Sequence, residues 1–241
     1  MFDTYNNIVI LTGSGISAES GIETFRASDG LWAQHHIDDI ATLDGYRRDP
    51  ELVYSFYNQR FNQLCLPSIQ PNDAHVALAE LQKNYSGRVT IITQNIDNLH
   101  ERGGANGIIH MHGELVKSRC EKTQRLYPYK QLNKTLKCPC CKEQGNLRPH
   151  VVWFNEMPLF MNDIYKTLSE ADLFIAIGTS GSVYPAADFV NEANKARAHT
   201  IEINLDATHI SDNFKEHRVG KATDEVRELV EELIARDRRF F

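Results

Sequence analysis

At 241 residues, 41% hydrophobic and 24% charged, the chain has the size and composition of a globular protein with room for one large core, or for a main domain carrying a small insertion. Its 26 basic and 32 acidic side chains give a net charge of −6, so no overall positive field would draw in nucleic acid or an anionic membrane surface as a direct partner. The opening MFDTYNNIVILTGSG lacks a basic leader, and its apolar run of about six residues is far below the ~20 of a membrane span, so a cytoplasmic location is expected.

In chain order, the first strand-like run is NIVILT (7–12), followed at once by G-x-G-x-x-A with Gly13, Gly15 and Ala18 at the fingerprint positions. Glycine there permits a tight turn, and the following helix start would offer N–H groups to a pyrophosphate. The same glycines also occur in plain strand-to-helix turns. A dehydrogenase would continue into a second strand ending in an acid about twenty residues on, but no apolar strand precedes Asp38 and Asp39. Instead GIETFRASDGLW places Phe25, Arg26 and Trp32 in a loop suited to covering a cofactor.

Residues 30–70 read as helix and loop without a strand. Within them FYNQR sets Tyr57 and Arg60 three apart on one helix face, a spacing equally at home on a solvated surface. PNDAHVALAELQKN is helical and leads to RVTIIT (88–93), closed by TQNIDNLH. Gln94, Asn95 and Asp97 thereby gather at a strand C-terminus, where α/β folds hold ligands, although Asn95 or Asp97 could simply cap the next helix. GIIHMH (107–112) should point His110 and His112 to one face, with Gly113 leaving room, so that either could serve as a base or as a satisfied structural histidine.

Four of the five cysteines, Cys120, Cys138, Cys140 and Cys141 but not Cys65, fall within 117–147. Cys138 and Cys141 form a C-x-x-C knuckle and Cys120 is a third thiolate, so one structural zinc is expected, its fourth position falling to Cys140 or to water because Thr123 breaks the other knuckle. Strand-like HVVWF (150–154), DLFIAIG (172–178) and HTIEINL (199–205) follow, interleaved with helical DIYKTLSE, YPAADFVNEANKA and TDEVRELVEELIARD. The alternation predicts an α/β fold: a Rossmann-like, mostly parallel sheet with helices on both faces, plus a small inserted helical and zinc-binding domain.

Taken together, GSGISAESGIETFRASDGLW, TQNIDNLH, HMHGE, the cysteine module, LRPHVVWF, IGTSGSVYPAA and EINLD, in this order, resemble the sirtuin family, most nearly its bacterial CobB-type branch. The resemblance covers nearly the whole chain and implies one catalytic region: a large domain from 1–29, 71–116 and 148–241, and a small one from 30–70 and 117–147. It implies an NAD-dependent protein-lysine deacylase acting on acylated lysine side chains of proteins. NAD would be consumed, yielding nicotinamide, O-acyl-ADP-ribose and free lysine. Gly13, Ser14, Gly15, Ile16, Ser17, Ala18, Glu19 and Ser20, with Phe25, Arg26 and Trp32, would hold NAD, and Gln94, Asn95, Ile96 and Asp97 would surround its nicotinamide ribose. Gly178, Thr179, Ser180, Asn204, Leu205, Asp206 and Ala222 would take the adenosine half.

By the same resemblance His112 is the catalytic base, assisted by Asn95 and Asp97, and Val152, Trp153 and Phe154 line the acyl-lysine channel and pair with the substrate backbone. Tyr57 and Arg60, with Ala41 leaving space, would grip an acyl carboxylate, which implies desuccinylation besides deacetylation. Departures from the family pattern are Ser14 for Ala, Glu23 for Pro, Asn155 for Gly and Thr123 for Cys. Protein ADP-ribosyl transfer and non-catalytic NAD binding are the alternative readings.

Overall fold

The computed structural model describes residues 5–24 and 36–237. Its elements run β1 (Asn7–Thr12), α1 (Gly15–Ala18), α2 (Ile37–Ile40), α3 (Leu43–Arg48), α4 (Pro50–Leu64), α5 (Asp73–Asn84), β2 (Arg88–Thr93), α6 (Leu99–Arg102), β3 (Ile109–His110) and β4 (Gly113–Cys120). Then come β5 (Leu126–Pro128), β6 (Leu147–Val151), α7 (Met161–Ser169), β7 (Leu173–Ile177), α8 (Phe189–Lys195), β8 (His199–Asn204), β9 (Glu216–Val219) and α9 (Ala222–Asp237). Among the described residues no helix is long and apolar enough to cross a membrane.

Six strands form one parallel sheet in the order β3-β2-β1-β7-β8-β9. Strand side chains alternate between faces, and the two faces of β1 divide accordingly. Ile8 and Ile10 pack with Leu78 and Leu81 of α5 and Leu229 and Leu233 of α9. Val9 and Leu11 pack with Ile164 and Leu168 of α7 and Phe189 and Val190 of α8. Burial on both faces explains why these strands read as continuous apolar runs.

A second, antiparallel sheet has the order β5-β4-β6. The run HVVWF, expected in the parallel sheet, instead contributes to β6, which pairs antiparallel with β4. All five residues of β6 are buried, so its sequence looks like that of a central parallel strand. Residues of α4, such as Val53, Tyr54 and Phe56, share one core with Leu115, Cys120, Cys138, Leu147 and Trp153, which joins the helical stretch to the cysteine stretch. The start of α4 follows its sequence: Asp49 accepts from Leu52 N at 3.1 Å, and Pro50 stands in the first turn.

The predicted GIIHMH strand contracts to the two residues of β3. Met111 N still donates to Thr93 O, but Gly113 has φ +79 and turns the chain into β4. A Cβ at Gly113 would lie 2.1 Å from His150 O, so the glycine makes room for the β6 backbone and not, as expected, for His112.

Candidate functional site

The sheet order reverses between β1 and β7, and in open α/β sheets ligands bind outside the strand ends at such a switch point. Here the backbones meet closely: Gly13 N donates to Ile177 O and Gly15 N to Gly178 O, both at 2.9 Å. A Cβ on Gly13 would lie 2.6 Å from Gly178 O, and Gly178 itself has φ +60, a conformation glycine adopts without strain. The N–H groups of Gly15, Ile16 and Ser17 already have backbone acceptors, in Gly178, Gly13 and Ser14 respectively, so they are not the free donors the motif suggested.

Above this turn opens a cleft of about 920 Å³. From the first turn it is lined by Gly13, Ser14, Gly15, Ser17, Ala18 and Glu19, and from the end of β2 by Gln94, Asn95, Ile96 and Asp97. His112, Gly178, Thr179, Ser180, Asn204, Leu205, Asp206 and Ala222 also face it, as do Ala41, Tyr57, Arg60, Val152, Trp153 and Phe154. Two residues of the expected set stand apart. Ile16 is fully buried in the core, and Ser20 Oγ accepts from Asn72 Nδ2 at 3.0 Å. Phe25, Arg26 and Trp32 lie outside the described residues.

A connected polar network forms the floor. Asn95 Nδ2 donates to Gly13 O and to Ser17 Oγ, each at 3.1 Å, and Ser17 Oγ donates to Asp97 Oδ2 at 3.0 Å. The other Asp97 oxygen accepts from Leu99 N at 3.0 Å, so the capping reading and the cleft reading of this residue both hold geometrically. Burial raises the Asp97 carboxyl, against the lowering effect of the Leu99 and Ser17 hydrogen bonds.

The two histidines of HMHGE separate. His110 Nε2 sits 2.7 Å from Glu101 Oε1 and away from the cleft lining; burial opposes its charge, but the Glu101 bond and charge leave its pKa raised. His112 lines the cleft with Nδ1 3.0 Å from Gln94 O. A carbonyl can only accept, so Nδ1 carries the proton and Nε2 keeps its lone pair. Burial also holds the His112 pKa below the ordinary histidine value, leaving a neutral ring with one basic nitrogen.

On the opposite wall Tyr57 is 3% exposed, drier than its helix-surface spacing suggested, and burial pushes its phenol up to about 12. Trp153 Nε1 donates to Tyr57 Oη at 2.9 Å, which leaves the phenolic hydrogen for another acceptor. Half-buried Arg60 stacks over Phe56 at 5.5 Å, and its pKa is lowered chiefly by desolvation. The N–H groups of Val152, Trp153 and Phe154 are held by His112 O, Glu156 Oε2 and Ala41 O, at 2.8, 2.8 and 2.9 Å. Of their carbonyls, that of Trp153 already accepts from Glu156 N at 3.0 Å.

Away from the cleft, the thiols of Cys120, Cys138, Cys140 and Cys141 all lie within 4.8 Å of one another. Tetrahedral zinc with Zn–S near 2.3 Å implies sulfur separations of about 3.8 Å, so the set fits a structural zinc ion. Cys140 is thus the sulfur brought to the fourth position, and Thr123 Oγ1, 3.0 Å from it, holds that thiol down to about 6.

Several cleft residues had no expected role: Glu23 and Tyr184 fall within the quoted motifs, whereas no motif marks Thr208, His209 and Lys221, and all five arrive on loops. Position just after a buried strand is the one signal that could have found Thr208 and His209, which follow β8.

The Sir2 family model matches residues 13–185. The chain is 57% identical over 236 residues to an NAD-dependent protein deacylase of Vibrio cholerae, covering 98% of this chain and 96% of that one. It is 55% identical over 228 residues to a protein of the same description in Escherichia coli, covering 94% and 82%. Among solved structures, a Sir2 homologue in complex with NAD superposes with a TM-score of 0.84 at 35% identity, covering 99% of this chain and 91% of that one. A Sir2 protein with a p53 peptide and NAD+ gives 0.81 at 28% identity, covering 95% and 93%.

Proposed function

Because the chain belongs to the Sir2 family, we propose that it is an NAD-dependent protein-lysine deacylase that removes both acetyl and succinyl groups. The observation that carries this reading is one continuous cleft holding the Gly13–Gly15 turn, His112 and the Tyr57/Arg60 pair together. The relatives' activity and the solved complexes with NAD and with a peptide support it. Bound NAD supplies an electrophilic ribose carbon, with nicotinamide as leaving group, and is consumed.

The residues divide the work. Gly13, Ser14, Gly15, Ser17, Ala18 and Glu19, with Gly178, Thr179, Ser180, Asn204, Leu205, Asp206 and Ala222, bind and orient the nucleotide. Asn95, fixed by Gly13 and Ser17, and Asp97 position groups at the reacting ribose. His112 takes a proton from a ribose hydroxyl at Nε2, while its Nδ1–H stays fixed on Gln94 O. Val152, Trp153 and Phe154 hold the acyl-lysine, largely out of water.

At the channel end Arg60 meets a terminal carboxylate as a charged, potentially bidentate donor, and Tyr57 gives its spare hydroxyl hydrogen. An acetyl group makes no use of either, so it too is accepted. The four cysteines, none of them in the cleft lining, would hold a structural zinc.

The test is a turnover panel on one peptide carrying acetyl-, succinyl- or malonyl-lysine, with product identification. Free lysine and O-acyl-ADP-ribose are expected from both acetyl and succinyl peptides. ADP-ribosylated protein as the main product, without free lysine, would overturn the deacylase reading.

A further inference from the structure

Glu202 is 3% exposed, and among the described residues no lysine or arginine pairs with it; its carboxylate is met by polar neighbours and by His217. Asn204 Nδ2 and Thr208 Oγ1 donate to Oε1 at 3.0 and 2.8 Å. Ser211 Oγ donates to Oε2, and His217 Nδ1 lies 3.3 Å from that same oxygen. Four groups around two oxygens saturate a carboxylate, which is the condition for burying one at all.

The four partners come from different places. Asn204 ends β8, Thr208 and Ser211 belong to the following loop, and His217 is on β9. Asn204 Nδ2 also donates to Thr179 O at 2.9 Å, so the network extends to the turn after β7. Asn204, Thr208 and Thr179 all face the cleft, while farther along the loop Asn213 O accepts from Asn194 of α8 and Phe214 packs with Phe189 and Val190. That loop is otherwise exposed, with Leu205 at 64%.

We propose that Glu202 is a positioning residue for the nucleotide: its buried carboxylate locks the 204–211 loop to the Thr179 turn, so that the wall facing the adenosine half of NAD is formed before the cofactor arrives. The inference rests on the NAD reading above. A preformed wall spares the ordering entropy a loose loop would lose on binding, and that difference appears in affinity for the nucleotide, not in the chemical step. Glu202 itself does not line the cleft.

The experiment measures ADP-ribose binding by calorimetry, and KM for NAD and for an acetyl peptide, in the parent and in Glu202→Gln. Glutamine keeps the size but turns a donor toward Ser211 and His217. Expected are about tenfold weaker ADP-ribose binding and a matching rise in KM for NAD, with kcat at saturating NAD and the peptide KM within about twofold. A second variant, Ser211→Ala, removes one loop contact to Glu202 at a residue outside the cleft lining and should shift ADP-ribose affinity in the same direction, by about threefold. This variant decides the matter if Glu202→Gln does not fold. Unchanged ADP-ribose affinity in a folded variant, or equal deterioration of both KM values and kcat, overturns the proposal. Failure of the parent itself to bind ADP-ribose overturns the NAD reading instead.

Discussion

Asn155 has φ +69, in the left-handed region where side chains other than glycine, and to a lesser degree asparagine and aspartate, are strained. It stands where the family pattern has glycine, so the substitution uses the residue that tolerates the backbone best. Asn155→Val should therefore lower unfolding free energy by about 1–2 kcal/mol, whereas Asn155→Gly should change it little. Chemical denaturation compares them, and equal losses would remove the conformational explanation. Arg60→Met should abolish desuccinylation while leaving deacetylation within about threefold, because only a carboxylate engages the guanidinium. Parallel loss of both activities would make the pair structural. In its proposed role as base His112 would work only when neutral, and burial lowers its pKa, so kcat/KM should be level at neutral pH and fall as the pH drops through a value below about 6.5. A falling limb centred above 7 would argue against His112 as the base.

At the scale of elements, β4 of the small antiparallel sheet and the 138–141 turn bring four thiols together. Zinc binding to such a set is folding free energy, so the protein should carry about one zinc per chain and lose thermal stability on chelation. Cys140→Ser should lower both zinc content and Tm; retention of full zinc would show that three sulfurs and water suffice. The inner strands of the parallel sheet, β1, β2, β7 and β8, were legible because Ile and Val runs such as LFIAI signal burial on both faces. The same signal misplaced HVVWF, since a run buried inside a small antiparallel sheet has no distinguishing period. Strand β9 escaped altogether: EHRV is four residues at the sheet edge, charged and half-solvated. The site divides likewise. Turn glycines, TQNID and HMH carry their chemistry in short local patterns, whereas the roles of Glu202 and Thr208 exist only once β8, its loop and β9 are folded together.

Over the whole molecule, acid stability turns on charges the core has no means to accommodate. His75 and His100 are 0% and 2% exposed and meet edge to face at 5.0 Å between α5 and α6. His100 Nε2 lies 2.9 Å from Thr12 Oγ1, which donates onward to Thr93, so the pair sits directly behind the strand ends that carry the cleft. Their remaining nitrogens, His75 Nε2 and His100 Nδ1, have no hydrogen-bond partner among the described residues. Desolvation pushes His75 down to about 4 and His100 down to about 3. Each folded value lies below the unfolded value of about 6.5, so between these limits the unfolded chain binds more protons and stability falls as pH falls. The loss begins near pH 6.5 and reaches about 1.3 kcal/mol per ring between pH 7 and pH 5.5. His110 works in the opposite sense: its pKa is raised beside Glu101, so its contribution is full at low pH and is lost as pH rises through the folded value. Two strongly shifted rings outweigh it. Urea unfolding of the parent and of His75→Leu at pH 7 and pH 5.5 isolates the effect, because the cap that His75 also provides is lost equally at both pH values. The parent should lose about 1 kcal/mol more than the variant across that interval, and identical pH dependence in the two would mean that the buried ring is already solvated.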